Sequence, residues 1–181
     1  MVAQNNDKTM EPIDYFDNLT CSIATVRLLL QKAHKNGSLI EGLCLYVSAI
    51  DGLLRLAIVY TRTQKSPDHK YSFEKRLIYQ DDGERTYSEK EIYRIALEEQ
   101  VISPELYQKL LDMYEFRNKV IHRFSISTIT CSQIAEACIK FERIYNEIFK
   151  IVEFLEHGPH GPKPIDKKTK QKIFERIKRK I

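Results

Sequence analysis

Residues 39–63 read LIEGLCLYVSAIDGLLRLAIVYTRT, and this stretch decides the fold class. Its apolar side chains recur on most sides of a helix, so the segment is predicted to be a central, buried helix. Gly and Pro number only six each in 181 residues. Such a low content favours long helices over short strands. The sequence therefore predicts an all-α fold built around this segment.

Local signals divide the rest of the chain into further helices. Apolar spacing predicts a helix over residues 14–35, which Asn36 and Gly37 end. Residues 64–87 are polar and are predicted to be a solvated loop with room for one helical turn. Capping residues predict three more helix starts: Ser88 to Glu91, Ser103 with Pro104, and Thr130. We therefore predict an up-and-down bundle of about five helices.

Length and composition favour one domain in a reducing compartment. At 43% hydrophobic, 181 residues can bury a core without disulfides or metal. We predict a disordered segment over residues 1–12, a helical domain over 13–157, and a linker with a basic tail over 158–181. No basic and apolar leader opens the sequence, and no uninterrupted apolar run nears the roughly 18 residues that span a bilayer. The protein is expected to be cytoplasmic, with no membrane attachment.

Neither the cysteines nor the histidines have the spacing of a metal site. His157 and His160 flank a Gly-Pro pair, but no carboxylate or thiol completes their coordination. We therefore expect no metal and no cofactor. Four cysteines lie in helical patterns without CxxC spacing and are predicted to be buried free thiols: Cys21, Cys44, Cys131 and Cys138.

The basic excess of the chain is confined to its C-terminal tail. Residues 163–181 carry nine basic and two acidic side chains, a net charge of +7, so the overall +4 leaves residues 1–162 at −3. One face of the tail is apolar, which is typical of an amphipathic helix. We favour binding of RNA or another polyanion. A solvated tail, a docked partner and an anionic membrane are the alternatives.

A charged residue interrupts the apolar stripe of the helix that begins at Pro104. Arg117 falls between Met113 and Val120, where helical periodicity requires an apolar side chain. On the neighbouring face, Asn118 and His122 lie one turn apart. Such an inconsistency is expected at functional sites, because an unpaired buried charge is costly.

A structural explanation of the same residues is also open. The Arg117 guanidinium could reach water, or it could pair with Glu115 or Asp112. His122 could simply complement the helix dipole.

The central helix keeps a narrow polar line that could face this motif. Its members are Glu41, Cys44, Ser48, Asp51, Arg55 and Arg62. One interpretation is a solvent strip with an Asp51 to Arg55 ion pair one turn apart. The other places Ser48 and Asp51 beside Arg117 and His122.

The motif Arg117-Asn118-Lys119-Val120-Ile121-His122 resembles the signature of the HEPN superfamily (higher eukaryotes and prokaryotes nucleotide-binding). That signature is an Arg, usually followed by a polar residue, and a His four to six residues later. Residues 14–156 fit the helical layout of the family. Several family members carry Tyr two residues past the His, where this chain has Phe124.

The resemblance implies a homodimer in which two copies of the motif face one cleft and cleave RNA without a metal. In that mechanism His122 acts as acid or base, Arg117 stabilises charge on phosphate oxygens, and Asn118 positions the phosphate or the imidazole. Second-tier candidates for substrate binding are Ser48, Asp51 and Arg123. A toxin or defence role implies an antitoxin or nucleotidyltransferase partner. The alternative is a non-catalytic HEPN-like module that binds a nucleotide or a partner protein.

Overall fold

A computed structural model describes residues 12–67, 74–80 and 83–158, together with the single position 175. This part of the chain contains six α-helices, one 3₁₀ turn and no strands. The elements are α1 (Pro12–Lys35), α2 (Leu39–Lys65), α3 (Lys75–Ile78), α4 (Glu89–Glu98), α5 (Pro104–Arg123), the 3₁₀ turn (Phe124–Ile126) and α6 (Cys131–His157). The all-α bundle is confirmed. The helix beyond the five predicted is α3, a single turn in the polar loop.

The central position predicted for residues 39–63 is also confirmed. The core runs along α2, which packs against each of the other five α-helices. Close packing of α1 on α2 requires Gly52, because a Cβ at this position would lie 2.8 Å from Ile23 Cγ1. The bundle therefore wraps a helix that is buried on most of its faces.

Among the described residues, α2 is the one helix long and apolar enough to cross a membrane. However, 72% of its most apolar 18-residue window is buried against the other helices. Burial of this extent fits the core helix of a soluble bundle.

The predicted caps form at three helix starts. Ser88 Oγ accepts from the backbone N–H of Glu91, and the Glu91 carboxylate accepts from Ser88 in return. Thr130 forms the same capping box with Gln133. At the start of α5, Ser103 Oγ accepts from the backbone N–H of Leu106, three residues on. These local bonds set where α4, α5 and α6 begin.

Cysteine burial follows the prediction only in part. None of the four thiols forms a disulfide within the described part of the chain, and Cys21 and Cys138 are buried. Cys44 is partly exposed and Cys131 is exposed, so the burial predicted for them was wrong. Cys131 is the first residue of α6, and the first buried residue of this helix is Ile134. Of residues 1–12, predicted to be disordered, residues 1–11 fall outside the described part of the chain, whereas Pro12 is the first residue of α1. The predicted amphipathic tail, apart from Glu175, also falls outside it.

A polar cavity where α2, α4 and α5 meet

A cavity of about 210 Å³ lies where three helices meet near the end of α5. It is lined by Cys44, Val47, Ser48 and Asp51 of α2, Glu89 of α4, and Arg117 and Ile121 of α5. Three residues singled out in the sequence therefore come together: Arg117, Ser48 and Asp51. One of the two interpretations of the polar line placed Ser48 and Asp51 beside Arg117 and His122; both residues line the cavity with Arg117, whereas His122 does not.

Arg117 occupies the apolar stripe of α5 because its charge has a partner. Its Nη2 donates to Glu89 Oε2, and the two residues are 28 positions apart in the sequence. Only 17% of the Arg117 side chain and 27% of the Glu89 side chain are exposed. The partners suggested by the sequence, Glu115 and Asp112, were wrong, because the compensating carboxylate comes from α4.

An aromatic ring covers the guanidinium from its own helix. The Arg117 Cζ atom lies 5.2 Å from the centre of the Tyr114 ring. The Lys90 Nζ atom lies 4.6 Å from the centre of the same ring. Cations within about 6 Å of a ring are attracted by its quadrupole. The Tyr114 ring therefore lies close to two cations, Lys90 and Arg117, and Arg117 is the one that lines the cavity.

Burial sets the acid–base properties of the groups around Arg117. Burial raises the pKa of Glu89, and the charge and hydrogen bond of Arg117 oppose that rise. The nearby Asp51 charge adds to it. Burial likewise raises the pKa of the Cys44 thiol against the attraction of Arg117. The surroundings of Cys44 therefore do not favour the thiolate, which is the nucleophilic form of cysteine.

Two buried donors in this cluster have no hydrogen-bond partner among the described residues. They are the Arg117 Nε and the Tyr93 hydroxyl. Burial, with the charges of Glu89 and Asp51, raises the pKa of Tyr93, so this hydroxyl stays protonated. Unpaired buried polar groups are uncommon and call for an explanation. Of the two residues, Arg117 lines the cavity and Tyr93 does not.

Asp51 is bound to Arg55, as one interpretation of the sequence proposed. Arg55 Nε lies 2.6 Å from Asp51 Oδ2. Arg55 also donates to the backbone carbonyls of Leu77, at 2.7 Å, and Tyr87, at 2.9 Å. Arg55 therefore ties the polar loop to α2, a role that the sequence did not indicate.

The other three predicted site residues lie outside this cavity. Asn118 is half-buried, and His122 and Arg123 are exposed. None of their side chains makes a hydrogen bond to another described residue. On an ideal helix, positions five apart are about 140° apart around the axis. Within one chain, Arg117 and His122 therefore face different surroundings.

The sequence missed Glu89, Tyr93 and Tyr114. Glu89 follows the capping residue Ser88, and in the sequence an acidic residue at this position is explained by the start of α4 alone. The one usable signal was the need for a buried Arg to have a partner, and spacing alone cannot find a partner 28 residues away.

A larger groove lies elsewhere, between α5 and α6, with a volume of about 680 Å³. Its rim carries Lys109, Lys140 and Arg143 against Asp112, Glu136 and Glu147. Lys109 and Glu147 pair across it at 3.3 Å. Its charges cancel, and none of the motif residues lines it.

The described residues contain no group of three or more His, Cys, Asp or Glu side chains that could hold a metal ion. The His157 Nδ1 lies 2.9 Å from the carbonyl oxygen of Glu153, one turn earlier in α6. His160, the other histidine considered for a metal, lies outside the described residues.

Comparison of the chain with protein-family models, with curated proteins and with solved structures gives no match. The resemblance to the HEPN superfamily therefore rests on residues 117–122 and on the helical layout.

Proposed function

We propose that this protein is a metal-independent endoribonuclease of the HEPN type, acting in the cytoplasm as a homodimer. The observation that carries the proposal is the pair of unlike groups near the end of α5. His122 has an exposed imidazole without a hydrogen-bonding partner among the described residues, and Arg117 lines the cavity with a guanidinium that donates to Glu89 through Nη2 alone among the described residues. An acid–base group and a fixed cation are what phosphodiester cleavage requires.

The chemistry is an internal transfer of the phosphoryl group. A base removes the proton of the RNA 2′-hydroxyl, and the oxygen attacks the adjacent phosphorus. The bond from phosphorus to the 5′-oxygen breaks, and an acid protonates that oxygen. The products are a 2′,3′-cyclic phosphate and a 5′-hydroxyl. Imidazole suits either proton transfer because histidine as a residue type titrates near neutral pH.

Two copies of the motif are needed because one chain does not bring Arg117 and His122 into the same cavity. In a two-fold dimer the same surface meets itself, so His122 of one copy can reach the cavity of the other. Ile121, an apolar side chain that lines the cavity, is 43% exposed and suits such a contact. Asn118 and Arg123 would then flank the RNA backbone, and Ser48 would supply a further hydroxyl inside the cavity.

The biological setting that suits this activity is a toxin or defence system. An endoribonuclease of this kind needs an antitoxin or a nucleotidyltransferase partner to hold it inactive.

A second function is favoured by one feature of the cavity. Glu89 neutralises Arg117 within the same chain, which suits a non-catalytic module that binds a nucleotide or a partner protein. That module would bind RNA or nucleotide without cleaving it, and His122→Ala would leave the affinity unchanged.

The test is an RNA cleavage assay in EDTA with wild type, Arg117→Ala and His122→Ala. Loss of the acid–base group or of the cation should lower the rate about 100-fold or more. His157→Ala is the matched control, because this exposed histidine lies at the far end of α6. Circular dichroism checks that each variant is folded. Undiminished cleavage by His122→Ala would contradict the enzymatic function.

A further inference from the structure

The ion pair between Glu89 and Arg117 differs from the surface pairs of this protein. Arg94 and Glu98 form a surface pair within α4, and their side chains are 55% and 56% exposed. Glu89 and Arg117 are 27% and 17% exposed and connect two helices. Exposed pairs contribute little, whereas separating a pair that is withdrawn from water leaves an uncompensated buried charge and is strongly unfavourable. Glu89 therefore fixes where the Arg117 guanidinium lies.

The pair leaves the guanidinium with donors to spare. Arginine has five N–H donors in a rigid, planar fork. Glu89 takes one bond at Nη2, and the buried Nε has no partner among the described residues. The Tyr114 ring, 5.2 Å from Cζ, restrains the fork from another side. Glu89 and Tyr114 thus orient the fork without using up its hydrogen-bonding capacity.

The surrounding charges are balanced, so Glu89 does not turn the cavity into an acidic site. Asp51 is paired with Arg55, and Glu89 is paired with Arg117. Four charged groups form two neutral pairs. A phosphate oxygen that approaches Arg117 therefore meets fixed donors without a net negative field from these four groups.

We propose that Glu89 is a positioning residue for Arg117, and that it holds the guanidinium ready for the phosphate in the transition state. This inference rests on the proposed ribonuclease function and assigns α4 to the active site. Glu89 acts through Arg117 and has no contact with the RNA itself. The same contact could instead mask Arg117, and the two roles make opposite predictions.

The experiment measures cleavage by wild type, Glu89→Ala, Glu89→Gln and Glu89→Asp, with Glu98→Ala as the matched control on the same helix. Loss of positioning should lower kcat on the order of 10- to 100-fold while KM changes less than about threefold, because the lost interaction belongs to the transition state. Glu89→Asp keeps the charge and should retain more activity than Glu89→Ala. Glu98→Ala should match wild type. All rates are taken at a temperature where circular dichroism shows every variant folded.

Two results would overturn this inference alone. The first is a kcat of Glu89→Ala equal to wild type, with His122→Ala inactive. The second is a higher kcat or a lower KM in Glu89→Ala, which would identify Glu89 as a mask. If His122→Ala instead cleaves like wild type, the proposed function fails, and the positioning role fails with it. The two failures are therefore distinguished by His122→Ala in the same assay.

Discussion

Arg117 and His122 lie five residues apart on α5 and face different surroundings. Arg117 lines the cavity and is paired with Glu89, whereas His122 is exposed and does not line it. The separation of about 140° around the helix axis accounts for this divergence. The proposed mechanism therefore places the His122 of a second copy of the chain beside Arg117.

The first prediction concerns that second copy. Sedimentation of wild type at tens of micromolar should give twice the chain mass. Ile121→Asp should give a monomer and lose cleavage, because it places a charge on the exposed apolar side chain beside the cavity. The measurement is sedimentation velocity with a parallel cleavage assay.

Phe154→Asp is the control for that experiment. Phe154 is 75% exposed and lies near Val101, just before α5 begins, whereas Ile121 lies near the end of this 20-residue helix. The Phe154→Asp variant should therefore stay dimeric and active. A wild type that remains monomeric would make a shared two-copy site untenable.

The second prediction concerns Arg55, which joins α2 to the polar loop. Arg55→Ala removes an ion pair with Asp51 and leaves the carbonyls of Leu77 and Tyr87 without this donor. The free energy of unfolding should fall by about 2–4 kcal/mol. Urea denaturation measures the loss, and limited proteolysis should show faster cutting within residues 66–88.

Arg85→Ala provides the comparison for the loop. The Arg85 side chain is 83% exposed, so its removal should change stability by less than about 0.5 kcal/mol. Equal stability of the Arg55 and Arg85 variants would show that the Arg55 bonds contribute nothing net.

The helices could be predicted from the sequence because their signals are local. The apolar spacing of α2 and the capping residues Ser88 and Thr130 act within a few positions of each helix start. Three residues of the polar cavity could also be predicted from the sequence, because Ser48, Asp51 and Arg117 interrupt apolar helical patterns. The position of each such residue on its helix follows from the 3.6-residue repeat.

The remaining parts of the site depend on contacts between distant segments. Glu89 meets Arg117 across 28 residues, and Arg55 meets Tyr87 across 32. Several carboxylates near Arg117 in sequence were equally good partners by charge. Only the packing of α4 against α5 selects Glu89, and the periodicity of a single helix carries no information about that packing.

The third prediction concerns pH and the capping box of α4. Glu91 accepts from Ser88 N at 2.7 Å and from Ser88 Oγ at 2.8 Å. The bond from the Ser88 backbone N–H has the larger effect and the bond from Ser88 Oγ the smaller one, and together they hold the pKa of Glu91 below its ordinary value of 4.5. A carboxylate with a lowered pKa stabilises the fold above its unfolded pKa, and this contribution is lost as pH falls through the folded pKa.

Glu91→Ala should therefore lower the free energy of unfolding at pH 7 and have a smaller effect at about pH 3, on the acid side of the ordinary Glu pKa of 4.5. Urea denaturation at both pH values is the measurement. Glu98→Ala, which removes an exposed pair on the same helix, controls for general loss of charge. An equal loss at both pH values would show that the capping bond does not depend on ionisation.

The fourth prediction concerns the basic tail, residues 163–181, which apart from Glu175 lies outside the described part of the chain. Its net charge of +7 contrasts with −3 on the rest of the protein. If the tail binds RNA, its deletion should weaken RNA binding mainly at low salt. The slope of log K against log salt should flatten by about 0.7 for each lost phosphate contact to a single strand. Cleavage at saturating RNA should persist, because the proposed catalytic groups, Arg117 and His122, are not part of the tail.

A matched variant separates charge from apolar docking in the tail. Replacing Ile173, Phe174 and Ile177 by Ser keeps every basic residue and removes most of the apolar face. Binding of the tail to the RNA phosphate backbone should survive this change with an unaltered salt slope, because counterion release depends on the Lys and Arg side chains. The measurement is fluorescence anisotropy with labelled RNA between about 50 and 200 mM salt. Equal affinity and equal slope for the full-length and truncated proteins would assign the tail to solubility or to a partner protein.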